Sequence, residues 1–326
     1  MIELDDIDRL GENLCRPECV LATSNGRIYA ANVRGGITII APDGSQSDLL
    51  ASNPGFALYP NGMTLMADGS VLLAHLGADE GGVFRLRESG DLEPFLTEVD
   101  GQNLPPTNYV HLDPQARIWI TVSTRLVPRA RAYRPDIADG FVVLAQDGQA
   151  RVVAEGLGYA NECIVHPDGK RLFVNETFAK RLTSFDIADN GDLTNRTVMA
   201  RFGDGTFPDG LTFDAQGGVW ITSIVSNRVI RISPDGGRQT LMIEDNDPEH
   251  VRNTETAFRA GGMGRPHLDR ISSKKLKNIS SLAFGGPDLR RIYLGCLLGE
   301  NIYSCQSPVC GHPPSHWNFA GPQLRD

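Results

Sequence analysis

The stretch Pro208-Asp209-Gly210-Leu211-Thr212-Phe213-Asp214 decides the fold, together with the segments that follow it. This alternating apolar run leads into the turn Gln216-Gly217-Gly218, and a second run, Val219-Trp220-Ile221-Thr222, comes directly after. Two more apolar runs follow, and the turn Pro234-Asp235-Gly236 separates them. Four short runs joined by tight turns within about 40 residues predict one four-stranded antiparallel blade of a β-propeller.

The same pattern recurs in five other places along the chain. Each copy opens with a short polar residue in front of an alternating apolar run. The copies start at Pro17-Glu18, Pro60-Asn61, Thr107-Asn108, Ala160-Asn161 and Ile279-Ser280. The six copies predict an all-β fold, a six-bladed β-propeller of four-stranded antiparallel blades.

We expect residues 1–326 to form a single propeller domain. Loop inserts near 123–139 and 244–278 interrupt the repeat, and long loops in a compact domain often carry function. Closing the ring requires a fourth strand for the last blade. Either Ile2–Leu4 or Trp317–Phe319 could supply it.

Composition excludes several classes of function. The formal net charge is −9, which argues against nucleic acid as a partner. No apolar run is long enough to span a bilayer, and the acidic N-terminus lacks the features of a secretory signal. A cytoplasmic enzyme without a membrane partner is therefore expected. The six cysteines match no zinc motif, and we expect reduced thiols.

One position is equivalent in all six copies. It lies just before the first strand, which lines the central channel of a propeller. The residues at this position are Glu18, Asn61, Asn108, Asn161, Asp209 and Ser280. Asn and Asp also initiate turns by bonding to their own backbone, which is the alternative explanation. We expect instead that these side chains meet at one end of the channel.

Four of these side chains, Glu18, Asn108, Asn161 and Asp209, offer only oxygen atoms as metal ligands. Such ligands suit a hard divalent cation. Ca²⁺ is the preferred candidate, and Mg²⁺, Mn²⁺ or Zn²⁺ would also be compatible. Two carboxylates balance the charge of one dication. The alternative is a metal-free pair of carboxylates, in which repulsion would raise one pKa.

The repeat resembles the regucalcin/gluconolactonase family, six-bladed propellers that include senescence marker protein and luciferin-regenerating enzyme. The segments that carry the resemblance are Arg16-Pro17-Glu18, Pro60-Asn61-Gly62, Tyr159-Ala160-Asn161-Glu162, Phe207-Pro208-Asp209-Gly210-Leu211 and 283–289. The resemblance implies a metal-dependent lactonase in which Glu18, Asn161 and Asp209 bind the metal. Asn108 would be a fourth ligand or would contact the substrate. Either Asp209 as general base or a metal-bound hydroxide would perform the proton chemistry.

Two departures from the family pattern bear on the substrate. Pro106 stands where related enzymes place an arginine, and Glu162 stands where many have glycine. The insert that follows the second strand of blade three carries arginines, and an extended loop would point Arg129 and Arg131 the same way. We therefore expect a lactone other than plain gluconolactone, one that bears a carboxylate gripped by these arginines.

Other residues complete the predicted site. Asn61 and His75 are expected to contact the substrate alongside Asn108. The repeated tryptophans Trp119 and Trp220 are interpreted as packing between blades.

Two other functions stay open. One is phosphotriester hydrolysis or isomerisation on the same metal, and the other is a non-catalytic calcium-binding propeller. The sequence says nothing about oligomeric state.

Overall fold

A computed structural model describes residues 1–323 of the chain. Its strands form six four-stranded antiparallel sheets, together with one two-stranded hairpin. The first strands of neighbouring sheets contact one another around a central channel. This confirms the predicted six-bladed β-propeller.

The strands are numbered in chain order, and β1 is Asp8–Leu10. Blade one contains β2 (Val20–Ala22), β3 (Ile28–Asn32), β4 (Gly36–Ile40) and β5 (Gln46–Leu50). Blade two contains β6 (Pro60–Leu65), β7 (Val71–His75), β8 (Val83–Leu86) and β9 (Leu92–Leu96). The hairpin is β10 (Glu98–Val99) and β11 (Gln102–Asn103). Blade three contains β12 (Thr107–Leu112), β13 (Ile118–Val122), β14 (Gly140–Gln146) and β15 (Gln149–Leu157).

Blade four contains β16 (Ala160–Val165), β17 (Arg171–Glu176), β18 (Arg181–Ile187) and β19 (Leu193–Arg201). Blade five contains β20 (Thr206–Phe213), β21 (Val219–Val225), β22 (Arg228–Ile232) and β23 (Gln239–Glu244). Blade six contains β24 (Ile279–Gly285), β25 (Arg291–Cys296) and β26 (Ile302–Gln306).

The ring closes through the N-terminal strand. β1 pairs antiparallel with β26 as the outermost strand of blade six. Neither segment proposed from the sequence supplies this strand. The backbone N–H of Ile2 instead bonds to Met242 O on blade five, and Trp317 O accepts from Ser24 N on blade one. Closure thus joins the start of the chain to its last blade.

The two repeated tryptophans lie in the core, in agreement with their interpretation as packing residues. Both are fully buried. Each indole Nε1 donates to a buried carboxylate, Trp119 to Asp113 over 2.9 Å and Trp220 to Asp214 over 2.8 Å. The Trp220 ring meets Phe284 of blade six edge to face. The carboxylate satisfies the indole N–H, so the large ring packs without an unpaired donor.

Two segments, 123–139 and 245–278, form what we call the cap. The first contains a 3-10 turn at Arg129–Ala132. The second contains helix α1 (Pro248–Arg259), capped by the Asp247 side chain, and helix α2 (Arg265–Leu268). Apolar residues from both segments share one buried cluster with residues of blades four and five. The cap lies over the end of the channel at which the inner strands begin, since it contributes residues to the cavity there.

The C-terminal segment closes the opposite end of the channel. His312 N donates to Phe213 O, and Ala215 N donates to Cys310 O. The side chains of 312–316 line a cavity with the far ends of the inner strands. All six cysteines are free thiols. No helix within residues 1–323 is long and apolar enough to cross a membrane.

Candidate active site

Five inner strands share a β-bulge at the position that the repeat singles out. The pairing is irregular at Pro60/Met63, Thr107/Tyr109, Ala160/Cys163, Pro208/Leu211 and Ile279/Leu282. A bulge leaves a residue unpaired and redirects its side chain. The equivalent residues therefore lie inside their strands, at the bulges, and not just before the strands as predicted. Glu18 alone precedes its strand.

Polar side chains of one blade hold the bulge of the next. The Thr121 hydroxyl donates to Asn161 O over 2.6 Å. The Asn175 amide donates to the carbonyls of Asp209 and Gly210 over 3.0 and 2.9 Å. These bonds satisfy carbonyls that the bulge removes from the ladder. They also fix the backbone from which the site side chains project.

The inner strands approach one another closely behind the bulges. A Cβ atom on Gly62 would lie 2.6 Å from the Cα of Tyr109 in the next blade. In blade four the equivalent residue is Glu162, whose Oε2 accepts from Leu211 N over 2.8 Å. Burial, and then the charges of Asp209 and Glu18, raise the pKa of Glu162 well above its ordinary value. Glu162 thus replaces a glycine and braces the neighbouring bulge.

A cavity of about 30 Å³ lies between the bulges and the cap. The predicted site residues that line it are Glu18, Asn61, Asn108, Asn161, Asp209 and Arg129. Ser280 is absent from the lining within residues 1–323; its hydroxyl donates to Glu18 O over 2.8 Å and supports the backbone there. The structure thus brings together five of the six equivalent residues.

Two amide oxygens in the cavity wall have no partner. The Asn108 Nδ2 donates to Ser123 Oγ over 3.0 Å, and the Asn161 Nδ2 donates to Thr177 Oγ1 over 3.0 Å. These bonds assign the orientation of each amide. They leave both Oδ1 atoms buried and without a hydrogen-bond partner among residues 1–323. A buried acceptor of this kind is costly unless a ligand satisfies it.

Two carboxylates complete the oxygen-rich wall. Burial raises the pKa of Asp209 well above its ordinary value, and the nearby charge of Glu18 adds to that rise. Burial also raises the pKa of Glu18. Arg16 and Arg129 oppose both shifts through their positive charges. The wall therefore favours a positive charge placed between the carboxylates.

These residues fit a hard divalent cation. Two carboxylates and two partnerless amide oxygens form an all-oxygen donor set. No group of three or more His, Cys, Asp or Glu side chains within the described residues is arranged to hold a metal ion. A cation at this site must therefore use the amide oxygens as well as the carboxylates. Glu18, Asn108, Asn161 and Asp209 are the residues that could hold it.

His75 and His111 both lie away from this cavity. The His75 Nδ1 accepts from Tyr59 N over 3.0 Å, and its ring packs against Phe56 and Phe84. Within residues 1–323, His75 is not part of the cavity lining, so the structure does not bring it together with the other predicted site residues. His111 follows Asn108 along β12 and lines the cavity at the opposite end of the channel.

The two arginines of the first cap segment separate. Arg129 lines the cavity and donates from Nη1 to the Tyr159 hydroxyl over 3.2 Å. Arg131 is exposed and donates to Val127 O over 3.4 Å. The paired direction of the two side chains required a locally extended loop, but a 3-10 turn spans Arg129–Ala132. Residues two apart in such a turn point in different directions.

Sequence reasoning did not single out Arg16 as a site residue. Its side chain lines the cavity and donates from Nη2 to Asn61 Oδ1 over 3.1 Å. Tyr159 also lines the cavity. Both flank predicted ligands in the chain, and that adjacency is the signal that could have identified them.

Comparisons with known proteins find relatives that are named as lactonases. The chain is 29% identical over 191 residues to a 6-deoxy-6-sulfogluconolactonase of Pseudomonas putida, which covers 52% of this chain and 62% of that protein. The chain thus spans less than two thirds of that relative. It is 27% identical over 245 residues to a pentonolactonase of Haloferax volcanii, which covers 73% and 67%.

A solved structure of regucalcin, a calcium-binding protein from Agrobacterium tumefaciens str. C58, has the same fold. The TM-score is 0.66 at 17% identity, with 97% of each chain covered. The family model described as SMP-30/Gluconolactonase/LRE-like region matches residues 16–268. That match spans most of the chain and includes every bulge residue except Ser280. The chain therefore belongs to the SMP-30/Gluconolactonase/LRE-like family.

Proposed function

We propose that this protein hydrolyses a sugar-type or carboxylated lactone with the help of one divalent cation, Ca²⁺ first among the candidates. The observation that carries the proposal is the pairing of two buried carboxylates with two partnerless amide oxygens. A protein interaction surface would not require this arrangement. The relatives named as lactonases, and a structural relative named as calcium-binding, support the same reading.

Glu18, Asn161 and Asp209 would hold the cation, with Asn108 as a fourth ligand. A divalent cation held by these residues would supply Lewis-acid chemistry for the lactone carbonyl. Asp209 is assigned as the proton acceptor for the attacking water, whose oxygen bonds to the carbonyl carbon as the ring C–O bond breaks. The same proton then passes to the departing ring oxygen. Arg129 would contact the substrate from the cap.

The cap borders the path by which a substrate would reach the bulges. The cavity of about 30 Å³ exceeds the roughly 15 Å³ that one water needs, and a lactone ring with its hydroxyls would have to extend from it towards solvent or displace the cap. Tyr133 and Leu268 line it from the two cap segments. Displacement of these residues would widen the site for a substrate, and their return would exclude water around the bound lactone.

The test is a pH-stat assay on aldonolactones and phosphotriesters, with protein stripped by a chelator and then supplied with Ca²⁺, Mg²⁺, Mn²⁺ or Zn²⁺. We expect lactone opening that disappears with the chelator and returns with Ca²⁺. Full activity in the stripped protein would contradict the proposal. Turnover of phosphotriesters alone would favour the alternative hydrolase, and cation binding without turnover would favour a non-catalytic calcium-binding propeller.

A further inference from the structure

Arg16 has a hydrogen-bonding capacity that the protein leaves unused. Its Nη2 bonds to Asn61 Oδ1 over 3.1 Å, and its guanidinium lies over the Tyr59 ring at 5.2 Å from the centroid. These two contacts fix the plane of the guanidinium. Its Nη1 is buried and has no hydrogen-bond partner in the part of the chain that the structure describes. Since a buried N–H of a charged group is costly when unpaired, a bound group is expected to accept from it.

Arg129 faces the same cavity and is also without a carboxylate partner. Within residues 1–323, neither Arg16 nor Arg129 has a carboxylate oxygen within 4.0 Å. The third arginine of the cavity lining, Arg265, differs because it pairs with Asp269. Arg16 and Arg129 therefore keep their charges available for a ligand.

The charged residues around the cavity indicate the charge of that ligand. The carboxylates of Glu18 and Asp209 and the guanidinia of Arg16 and Arg129 sum to zero, and the paired Arg265 and Asp269 add no net charge. A divalent cation between the carboxylates raises the sum to about +2, or to about +1 if Glu162 is counted as ionised. A cavity with a net positive charge attracts an anion in either case. A neutral lactone would leave this charge uncompensated.

We propose that Arg16 and Arg129 form a clamp for an oxyanion carried by the lactone, a carboxylate or sulfonate remote from the ring carbonyl. Planar guanidinium groups suit such an oxyanion because two parallel N–H donors can meet two oxygens. The clamp determines substrate choice and rests on the proposed lactone hydrolysis. Arg16 takes the place that the sequence assigned to Arg131.

The kinetic test compares D-glucaro-1,4-lactone with D-glucono-1,4-lactone, which share a ring and differ by a terminal carboxylate. The measured quantity is the ratio of their kcat/KM values in the Ca²⁺-loaded protein. We expect the wild type to prefer the anionic lactone. The ratio should fall about ten- to a hundredfold in Arg16→Gln and in Arg129→Gln, as expected for loss of a charged hydrogen bond. Arg16→Lys should retain part of it.

The control is Arg252→Gln, which removes one exposed positive charge from α1. It should leave the ratio within about twofold, because a solvated charge is screened. A wild type without preference for the anionic lactone would overturn the clamp, as would equal loss of the ratio in the control. Activity on the neutral lactone that still depends on Ca²⁺ would meanwhile preserve the proposed function.

A binding measurement tests the clamp without hydrolysis of a substrate. Calorimetric titration of the Ca²⁺-loaded protein with D-glucarate and D-gluconate should show tighter binding of the dianion. Arg16→Gln should remove that difference while its thermal unfolding temperature stays near that of the wild type. Equal affinities for the two acids in the wild type would overturn the proposal even if no lactone is hydrolysed.

Discussion

The two ends of the propeller channel are built from the same six inner strands and differ in chemistry. At the bulged end, carboxylates, amides and arginines surround a cavity of about 30 Å³ under the cap. At the opposite end, mostly apolar side chains and the histidines His111, His312 and His316 surround a cavity of about 130 Å³ under the C-terminal segment. One strand, β12, contributes Asn108 to the first cavity and His111 to the second.

The difference shows what the bulge contributes. In a regular strand, alternate side chains face opposite sides of the sheet, and at the unbulged end the inner strands present apolar residues such as Leu211 and Phe213 to the channel. At the bulged end an extra residue interrupts the ladder, and polar side chains of the next strand secure the released carbonyls. We infer that the bulge concentrates oxygen ligands where one cation can bind them together.

The largest expected effect comes from the bulged end. Asp209→Ala removes a charge, a proposed cation ligand and the proposed proton acceptor together. We expect kcat/KM for lactone hydrolysis to fall by about a thousandfold or more, as for loss of groups that stabilise charge in a transition state. His316→Ala, at the other end, is the comparison variant and should retain activity within about threefold. Similar losses in both variants would contradict the functional division between the ends.

The second prediction concerns pH and the unbulged end. Burial lowers the pKa of His111 to about 4, opposed by the charge of Asp113. Burial and the proximity of His111 lower the pKa of His316 to about 3, and a hydrogen bond to Ala22 opposes this shift. The folded state thus resists protonation, whereas the unfolded chain takes up protons below about 6.5. Stability should fall as pH drops from about 6.5 towards about 4.

At pH 5, each of the two histidines should lower the free energy of unfolding by on the order of 2 kcal/mol. Urea unfolding from pH 7 to pH 4.5 measures it. The double variant His111→Gln, His316→Gln should show a shallower decline than the wild type, with His312 still present. An unchanged slope in the double variant would refute the assignment of the decline to these two side chains.

A smaller effect is expected from the residues that support the ligands. Thr177 accepts from the Asn161 amide and donates to Pro208 O over 2.8 Å. Thr177→Val keeps the shape and removes both bonds, so we expect Ca²⁺ affinity to fall about ten- to a hundredfold. The control, Thr64→Val, replaces a threonine that lines the cavity at the unbulged end. It should leave Ca²⁺ affinity unaltered. Calorimetric titration with Ca²⁺ compares the two variants. Equal affinities would refute the role of Thr177 in supporting the ligands.

The smallest effect should come from Arg131. It is exposed and lies outside the lining of the bulged-end cavity. Arg131→Gln is therefore expected to change kcat/KM for an anionic lactone by less than about twofold. A tenfold loss in steady-state kinetics would restore the sequence-based pairing of Arg131 with Arg129.

Much of the fold and of the site was predictable because the repeat encodes both. Blade count follows from the spacing of turns and apolar runs, and the ring of equivalent residues follows from register. The position of those residues inside the strands was not predictable in this way. A bulge depends on pairing between strands, and the sequence of one strand does not report it.

The role of Arg16 and the separation of Arg129 from Arg131 were beyond sequence reasoning for a related reason. A local 3-10 turn places Arg129 in the cavity, and packing of the two cap segments fixes that turn. Arg16 reaches the cavity through contacts with Asn61 and Tyr59 on another blade. Such placements arise from tertiary contacts between distant segments, and local periodicity carries no information about them.

The central claim is that one cation binds at the bulged end through Glu18, Asn161 and Asp209. Elemental analysis of protein dialysed against limiting Ca²⁺ tests it most directly, with wild type, Asp209→Ala and His316→Ala compared at equal concentration. The account predicts one Ca²⁺ per chain in the wild type and in His316→Ala, and none in Asp209→Ala. Undiminished Ca²⁺ in Asp209→Ala, or its loss from His316→Ala alone, would contradict the account.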